Sequence, residues 1–362
     1  MNKHILKTLI LRPSDVQQII QYVGPDTLMD ILIQRMFHSF ESFDDQETII
    51  PIRSGFNYEK PTVGLVEWMP LYKQGEQVVI KIVGYHPNNP EKYGLPTIVS
   101  TISAYDTSTG HLSGLTDGVL LTALRTGAAS AVASQLLAHP DSAVLGLIGC
   151  GAQAVTQLHA LSRIFKLKKV FFYDIDPEVV QSFPDRCAAL DLDLVFVPTN
   201  IKEVVRQAEI LCTATSIDVG AGPLFELLET QPTLHVNAVG SDFPGKTELP
   251  KSLLEKSFVC PDFLEQAVKE GECQQLSAEH IGPSILDVIR NREQYTYVQN
   301  QRSVFDSTGW ALEDQVVMDL FLEYATELGL GLEVAIESVQ EDAKNPYHFL
   351  NKVAAPSFSQ PS

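Results

Sequence analysis

The chain has 362 residues, which suits two domains better than one ordinary core. Hydrophobic residues make up 44% and charged residues 20%, a globular balance that disordered chains lack. The formal net charge of -19 speaks against a broad nucleic-acid-binding surface, because phosphates would be repelled.

The N-terminal MNKHILKTLILRPSD turns polar after a short apolar stretch and lacks a small-residue cleavage site, so it reads as part of the fold. A helix is expected around residues 24–40. VGLVEWMPLY, QVVIKIVGYHP and TIVSTISAYD follow as strands, with turns at residues 73–75, 87–90 and 107–110. Hairpins of this kind predict an antiparallel or mixed sheet. From Asp117 the pattern changes: GVLLTALRTGAASAVASQLLA is rich in Ala and Leu, lacks proline and reads as a helix linking two domains.

Strand and helix patterns then alternate: AVLGLIG, a helix over 153–164, KVFFYD, a helix over 178–190, LVFVPT, IKEVVRQA, EILCTAT and LHVNAVG. Buried strand, crossover helix, buried strand is the pattern of a parallel doubly wound sheet. After Val304, FDSTGWALEDQVVMDLFLEYATELGLG reads as a long helix returning to the first domain. The expected division is residues 1–128 completed by a C-terminal helix at 315–345, then residues 129–314, and a polar tail at 346–362. The fold class is α/β: a Rossmann-type doubly wound parallel sheet plus an N-terminal α+β domain.

The uncharged run over 142–162 carries turn-forming and polar interruptions, which speaks against a membrane span. Cys150, Cys187, Cys212, Cys260 and Cys273 are scattered without a CxxC pair, so neither a disulfide framework nor a structural zinc site is expected. A reducing, cytoplasmic setting is the expectation. The histidines show no HxxxH or HxH pairing, so no metal is expected, and there is no GxSxG elbow of a serine hydrolase.

LGLIGCGAQAVTQLHAL carries the sharpest signal. An apolar strand ends at Gly149-Cys150-Gly151, and Ala154 takes the third small position of a GxGxxG/A fingerprint. Glycines serve here because the chain turns tightly, its backbone must approach a pyrophosphate, and the next helix aims its amides at that anion. Asp174 follows at the end of KVFFYD, 23 residues after Gly151. A carboxylate there accepts the ribose hydroxyls and repels a 2′-phosphate, which favours NAD over NADP. The alternative is a glycine turn in another α/β sheet, with Asp174 capping the next helix.

Further polar residues need a reason. Lys81 inside VVIKIV is either an edge-strand lysine facing solvent, which the local pattern alone favours, or a cation for a substrate carboxylate. Arg53 in IIPIRSGF can hold a carboxylate bidentately or form a surface ion pair. Glu67, in an apolar strand, could meet a substrate ammonium. Arg125 has small neighbours that leave room for a ligand, or it forms an interdomain salt bridge. Asp242 ends LHVNAVGSD, where doubly wound folds place ligands; it could trade protons with an amine, or cap the following turn.

LLTALRTGAASA, LIGCGAQA, VNAVGSDFPGKTEL, GECQQL and FDSTGWALED together resemble the ornithine cyclodeaminase and mu-crystallin family, from about residue 50 to residue 330. With EWMP and KIVGYHPNN they resemble its ornithine cyclodeaminase branch. The resemblance implies a homodimer whose N-terminal domain forms the interface and contributes the substrate site, while the second domain holds NAD. It implies an L-ornithine substrate, cyclised to L-proline and ammonia with NAD as a temporary hydride store. Arg53 and Lys81 would bind the substrate carboxylate, Glu67 the amine end, and Asp242 would be the catalytic acid/base. Met69, Arg125 and Thr308 would also touch substrate. Thr97, Arg125, Gly149, Gly151, Ala152, Gln153, Asp174, Thr215, Val239, Gly240, Asp242, Lys246 and Ser307 would line the cofactor.

Two residues depart from the family pattern. Thr308 stands where an apolar residue is expected, which would change the pocket's length or polarity; Cys150 replaces a common Asn and should matter little. Lysine cyclodeamination to pipecolate is the nearest rival and needs room for one more methylene, a difference worth only about 1–3 kcal/mol. An imine reductase or amino-acid dehydrogenase is a second rival, and a non-catalytic crystallin-like NAD-binding protein is a third.

Overall fold

The computed structural model describes residues 6–226, 229–339 and 342–352, so most of the polar tail lies outside the described residues. Two sheets organise the chain. Eight strands form the first, in the order Leu332–Val334, Thr8–Leu11, Leu112–Asp117, Ile98–Asp106, Gln77–Tyr85, Gly64–Lys73 and Thr48–Ile49, with Ser54–Tyr58 also pairing Gly64–Lys73. Its pairings are antiparallel except Thr8–Leu11 with Leu112–Asp117. The three long strands expected from the β-rich runs are its centre. Their inner face buries Met69, Leu71, Val79, Ile102 and Ala104 in one core with the helices Pro25–Glu41 and Ala311–Leu328.

The second sheet has seven strands, all parallel, in the order Val195–Pro198, Lys169–Tyr173, Val144–Ile148, Ile210–Thr213, His235–Ala238, Ser303–Asp306 and Phe258–Pro261. The chain starts at Val144–Ile148, runs outward to one edge, and returns to Ile210–Thr213 on the other side. That reversal opens a crevice at the carboxyl ends of these two strands.

Helix Val119–Leu137 joins the sheets and is buried nearly all round. Its small residues permit this: a Cβ at Gly127 would stand 2.6 Å from the Thr156 carbonyl oxygen of helix Ala152–Ile164, so only glycine lets the two helices come this close.

Three expectations are corrected. The helix expected from Val304, and assigned to 315–345, runs only over Ala311–Leu328. Ser303–Asp306 is a fully buried strand, and Leu332–Val334 pairs with Thr8–Leu11 in the first sheet. Apolar runs suit a buried strand and a helix alike, and Gly309 and Gly329 in left-handed backbone mark the breaks. The helix expected over 178–190 ends at Cys187 and closes with a 3-10 turn, Ala188–Leu190. Where a simple turn was expected at 87–90, the short helix Asn89–Tyr93 begins.

Candidate active site

The carboxyl ends of the second sheet face the first sheet across a cavity of about 1870 Å³. Every candidate site residue from the sequence lines it: Arg53, Glu67, Met69, Lys81, Thr97, Arg125, Gly149, Gly151, Ala152, Gln153, Asp174, Thr215, Val239, Gly240, Asp242, Lys246, Ser307 and Thr308.

One wall is the face of two strands. Leu65, Glu67 and Met69 stand opposite Tyr85, Val83 and Lys81, so strand alternation turns all six side chains to the cavity. Lys81 thus sits on a central strand and is only 2% exposed, which overturns the solvent-facing edge reading. Its Nζ donates to Asp314 Oδ1 at 2.9 Å and lies equally close to Oδ2. Burial pulls the Lys81 ammonium down to about 8, helped by the positive Arg125 and opposed by Asp314. Arg125 both lines the cavity and is ion-paired. Its Nη1 donates to Glu313 Oε2 at 2.5 Å, and its Nε lies 3.2 Å from Asp314. Burial pushes the Glu313 carboxyl up to about 8 against the pull of Arg125.

Arg53 is held by a strand of the first sheet and by a loop and a helix end beside the second. Nη1 donates to Glu67 Oε1 at 3.1 Å, Nη2 donates to the carbonyls of Thr308 and Gly309, and Nε lies 2.8 Å from Glu270 Oε1. It is an interior ion-pair centre, not a surface one. Burial pushes the Glu270 carboxyl up to about 7; Arg53 opposes, while Glu67 and Asp242 add to the rise.

Asp242 stands just beyond strand His235–Ala238, its side chain 37% exposed, and accepts from Lys246 Nζ at 2.9 Å. Lys246 in turn lies 5.8 Å from the centre of the Tyr85 ring. Thr308 does less to the pocket than its polarity suggests. Its hydroxyl donates to Asp262 Oδ1 and accepts from Gln266 Nε2, both at 3.0 Å, so it is spent inside a buried cluster.

At the far end of the cavity the glycine turn has the expected form. Gly149 has φ +88, and a Cβ there would stand 2.5 Å from the Ala214 carbonyl oxygen. A Cβ at Gly151 would project into open space, the room a pyrophosphate needs above the first amides of helix Ala152–Ile164. Asp174 accepts from the Cys150 amide at 2.7 Å and from the Asp176 amide at 3.0 Å. The cap of the next helix is Asp176, which accepts from the Glu178 amide, so the capping role belongs to the neighbour of Asp174. The Ser307 hydroxyl is buried at the cavity wall without a hydrogen-bond partner. An open glycine cradle, a cavity-lining acid at the end of the neighbouring strand and an orphaned hydroxyl fit a dinucleotide.

Sequence reasoning missed the carboxylates that hang the loops. Glu248 accepts from the Thr215 amide and hydroxyl and from the Gly240 amide. Glu272 accepts from the amides of Glu248 and Leu249. Asp306 accepts from the amides of Glu272 and Cys273, and Asp262 from the Gly309 amide. Glu248, Glu272, Asp306, Glu313 and Asp314 lie inside the motif stretches KTEL, GECQQL and FDSTGWALED, whereas Asp262 lies outside them. For the five inside these stretches, the motifs themselves are the signal that could have found them. Among the described residues, no group of three or more His, Cys, Asp or Glu is placed to hold a metal ion, and no helix is long and apolar enough to cross a membrane.

A parallel sheet that reverses strand order beside a glycine turn, with an acid closing its second strand, defines an α/β protein of Rossmann type. The chain belongs to the ornithine cyclodeaminase/mu-crystallin family, whose model matches residues 15–328. It is 43% identical over 343 residues to the L-lysine cyclodeaminase of Streptomyces rapamycinicus, covering 94% of this chain and 99% of that one. A solved lysine cyclodeaminase, described for its recognition of L-lysine, L-ornithine and L-2,4-diamino butyric acid, matches with a TM-score of 0.91 and 46% identity over 94% of this chain and 99% of that one. An archaeal alanine dehydrogenase dimer with bound NAD matches with a TM-score of 0.80 and 29% identity over 91% of this chain and 100% of that one.

Proposed function

We propose that this chain is a cyclising deaminase that converts L-lysine to L-pipecolate and ammonia, with NAD as its cofactor. The sequence reading puts L-ornithine first. Identity of 43% along 94% of the chain to an L-lysine cyclodeaminase supports lysine as the preferred substrate, with L-ornithine as the second. The observation that carries the class is that Arg53, Lys81 and Arg125 share one cavity with Asp242 and the glycine turn.

NAD, when bound, supplies the acceptor and donor of the α-carbon hydride, so the reaction has no net redox change. The chain's own residues do the rest. Arg53, Lys81 and Arg125 hold the α-carboxylate, and Glu67 and Met69 line the path of the side chain. Thr97, Gln153, Asp174, Thr215, Val239, Lys246 and Ser307 line the cofactor. Asp242 takes a proton from the distal ammonium, whose ordinary pKa of roughly 10 otherwise keeps it from attacking, and returns one to the departing ammonia. Residues 1–128 with helix Ala311–Leu328 form the substrate half, and residues 129–314 otherwise form the cofactor half.

The chain works as a homodimer through the outer face of the first sheet. Phe56, Ile82 and Val99 are 69%, 47% and 44% exposed on that face, Ile82 and Val99 on neighbouring strands and Phe56 across the intervening strand Gly64–Lys73, apolar side chains of the kind interfaces cover.

The test is to incubate the protein with L-lysine or L-ornithine and a trace of NAD⁺, following products by NMR and NADH by absorbance. Equimolar cyclic imino acid and ammonia, in excess of NAD and without net NADH, support the proposal. The faster substrate decides between lysine and ornithine. No product from either, with NADH consumed on adding a cyclic imine, sinks it in favour of a reductase.

A further inference from the structure

Beneath the proposed carboxylate site lie two consecutive acids, Glu313 and Asp314, on the first turn of helix Ala311–Leu328 and both fully buried. The helix dipole favours acids there, but only by a fraction of the cost of burying two charges. Their partners come from two separate elements: Lys81 from strand Gln77–Tyr85 and Arg125 from helix Val119–Leu137. Asp314 contacts both cations. Glu313 contacts Arg125 through Oε2, while its Oε1 is buried with no hydrogen-bond partner; Asp314 Oδ2 also makes no hydrogen bond but lies 2.9 Å from the Lys81 ammonium. An orphaned oxygen is far costlier on an ionised carboxylate than on a neutral carboxyl.

Charge counting makes the distinction matter. Lys81, Arg125, Glu313 and Asp314, all ionised, would sum to zero and leave only Arg53, itself paired with Glu67 and Glu270, to draw in the substrate carboxylate. With Glu313 neutral, the cluster keeps one positive charge, and a bound carboxylate cancels it. We propose that Glu313 and Asp314 are positioning residues that set the charge of the substrate's carboxylate pocket, Asp314 as the shared counter-ion of Lys81 and Arg125, and Glu313 as the neutral partner of Arg125. This rests on the reading that Lys81 and Arg125 hold the substrate carboxylate.

The surrounding charges agree. Arg53 adds positive potential at Lys81 and Arg125, and Asp262 adds negative potential at Glu313. On helix Pro25–Glu41, Asp26 and Asp30 pair with Arg163, Arg35 with Glu323, and Glu41 with Arg292. On strand Gly64–Lys73, Glu67 pairs with Arg53 and Lys73 with Glu76. Further along the acid pair's own helix, Asp319 accepts from Gln77. With Glu313 and Lys81 both titrating near 8, raising the pH gives one a negative charge and takes a positive charge from the other. Both changes empty the pocket of its attraction.

The test is the pH profile of kcat/KM for L-lysine, from about pH 6 to about pH 10, in the wild type, Glu313→Gln and Asp314→Asn, beside the nitrogen NMR titration of the Lys81 side chain. Glu313→Gln, nearly the same shape and permanently neutral, should move the alkaline loss of kcat/KM upward or halve its steepness. Asp314→Asn should move that loss, and the Lys81 titration, downward by about one pH unit or more. Two adjacent, equally buried residues shifting the profile in opposite directions is not what a merely structural role produces. Shifts in the same direction, or an unmoved profile in Glu313→Gln, overturn the proposal even if Asp314→Asn does not fold. If the wild type turns over no diamino acid, the functional reading has failed. The Lys81 titration then judges the charge assignment by itself: a lower midpoint in Asp314→Asn upholds it, and an unchanged one sinks it.

Discussion

The Asp174 carboxylate accepts the amide of Cys150, the residue between the two glycines of the turn, at 2.7 Å. One acid therefore anchors the glycine turn, and it is the acid proposed to meet the cofactor's ribose. Asp174→Ala should weaken NAD binding by roughly tenfold or more and erase the preference over NADP, since both a loop anchor and the repulsion of a 2′-phosphate are lost. Calorimetric titration with both dinucleotides measures this, and an unchanged ratio of affinities would count against NAD selection by Asp174.

The two glycines of that turn separate fold from function. Gly149→Ala forces left-handed backbone on a residue with a Cβ and drives that Cβ against the Ala214 carbonyl, so it should cost about 2–4 kcal/mol of stability. Gly151→Val should leave thermal stability near wild type while abolishing NAD binding, because its side chain fills only the open cradle. Thermal melts with and without NAD distinguish the two.

Asp242 is 37% exposed and carries one ion pair, so replacing it threatens chemistry more than folding. Asp242→Asn should lower kcat by about 10²- to 10⁴-fold with little change in the melting temperature. Product NMR beside a melt checks it; full retained activity would remove Asp242 from the reaction.

Glu270 gives stability a pH dependence. Its carboxyl is raised to about 7, so the folded state holds a proton that the unfolded chain gives up near the ordinary glutamate value. Its contribution is therefore present at low pH and lost as pH rises through about 7. Glu270→Gln should melt a few degrees higher than wild type at pH 8 and show little gain at pH 5. An equal gain at both pH values would point to packing instead of charge.

Ile82 stands on the apolar outer face of the first sheet. If that face is the subunit interface, Ile82→Glu should shift the protein from dimer to monomer, since a buried unpaired charge costs several kcal/mol. Light scattering after gel filtration reports the mass. A variant that stays dimeric places the interface elsewhere.

Local patterns are legible where one period dominates. β-rich runs bounded by turn residues mark the strands that carry Glu67, Met69, Lys81 and Tyr85, and the Ala-rich run marks helix Val119–Leu137. The glycine fingerprint marks its turn because tight backbone and phosphate approach leave few residue choices. By contrast, FDSTGWALED spans a strand end, a left-handed glycine and a helix start, and its apolar content supports either structure.

The two-sheet architecture, the dinucleotide turn and the polar residues that line the cavity can thus be read along the chain, since they follow from local periodicity and from residue types that few environments tolerate. What each charge meets is settled only in three dimensions. Lys81 is solvent-facing by its local pattern, and becomes an interior cation because its strand is central and Asp314, 233 residues away, lies against it. Glu248, Glu272, Asp262 and Asp306 read as ordinary acids, yet they hold the loops by accepting backbone amides distant along the chain. Burial and pairing are properties of distance in space, and a single sequence records distance only along the chain.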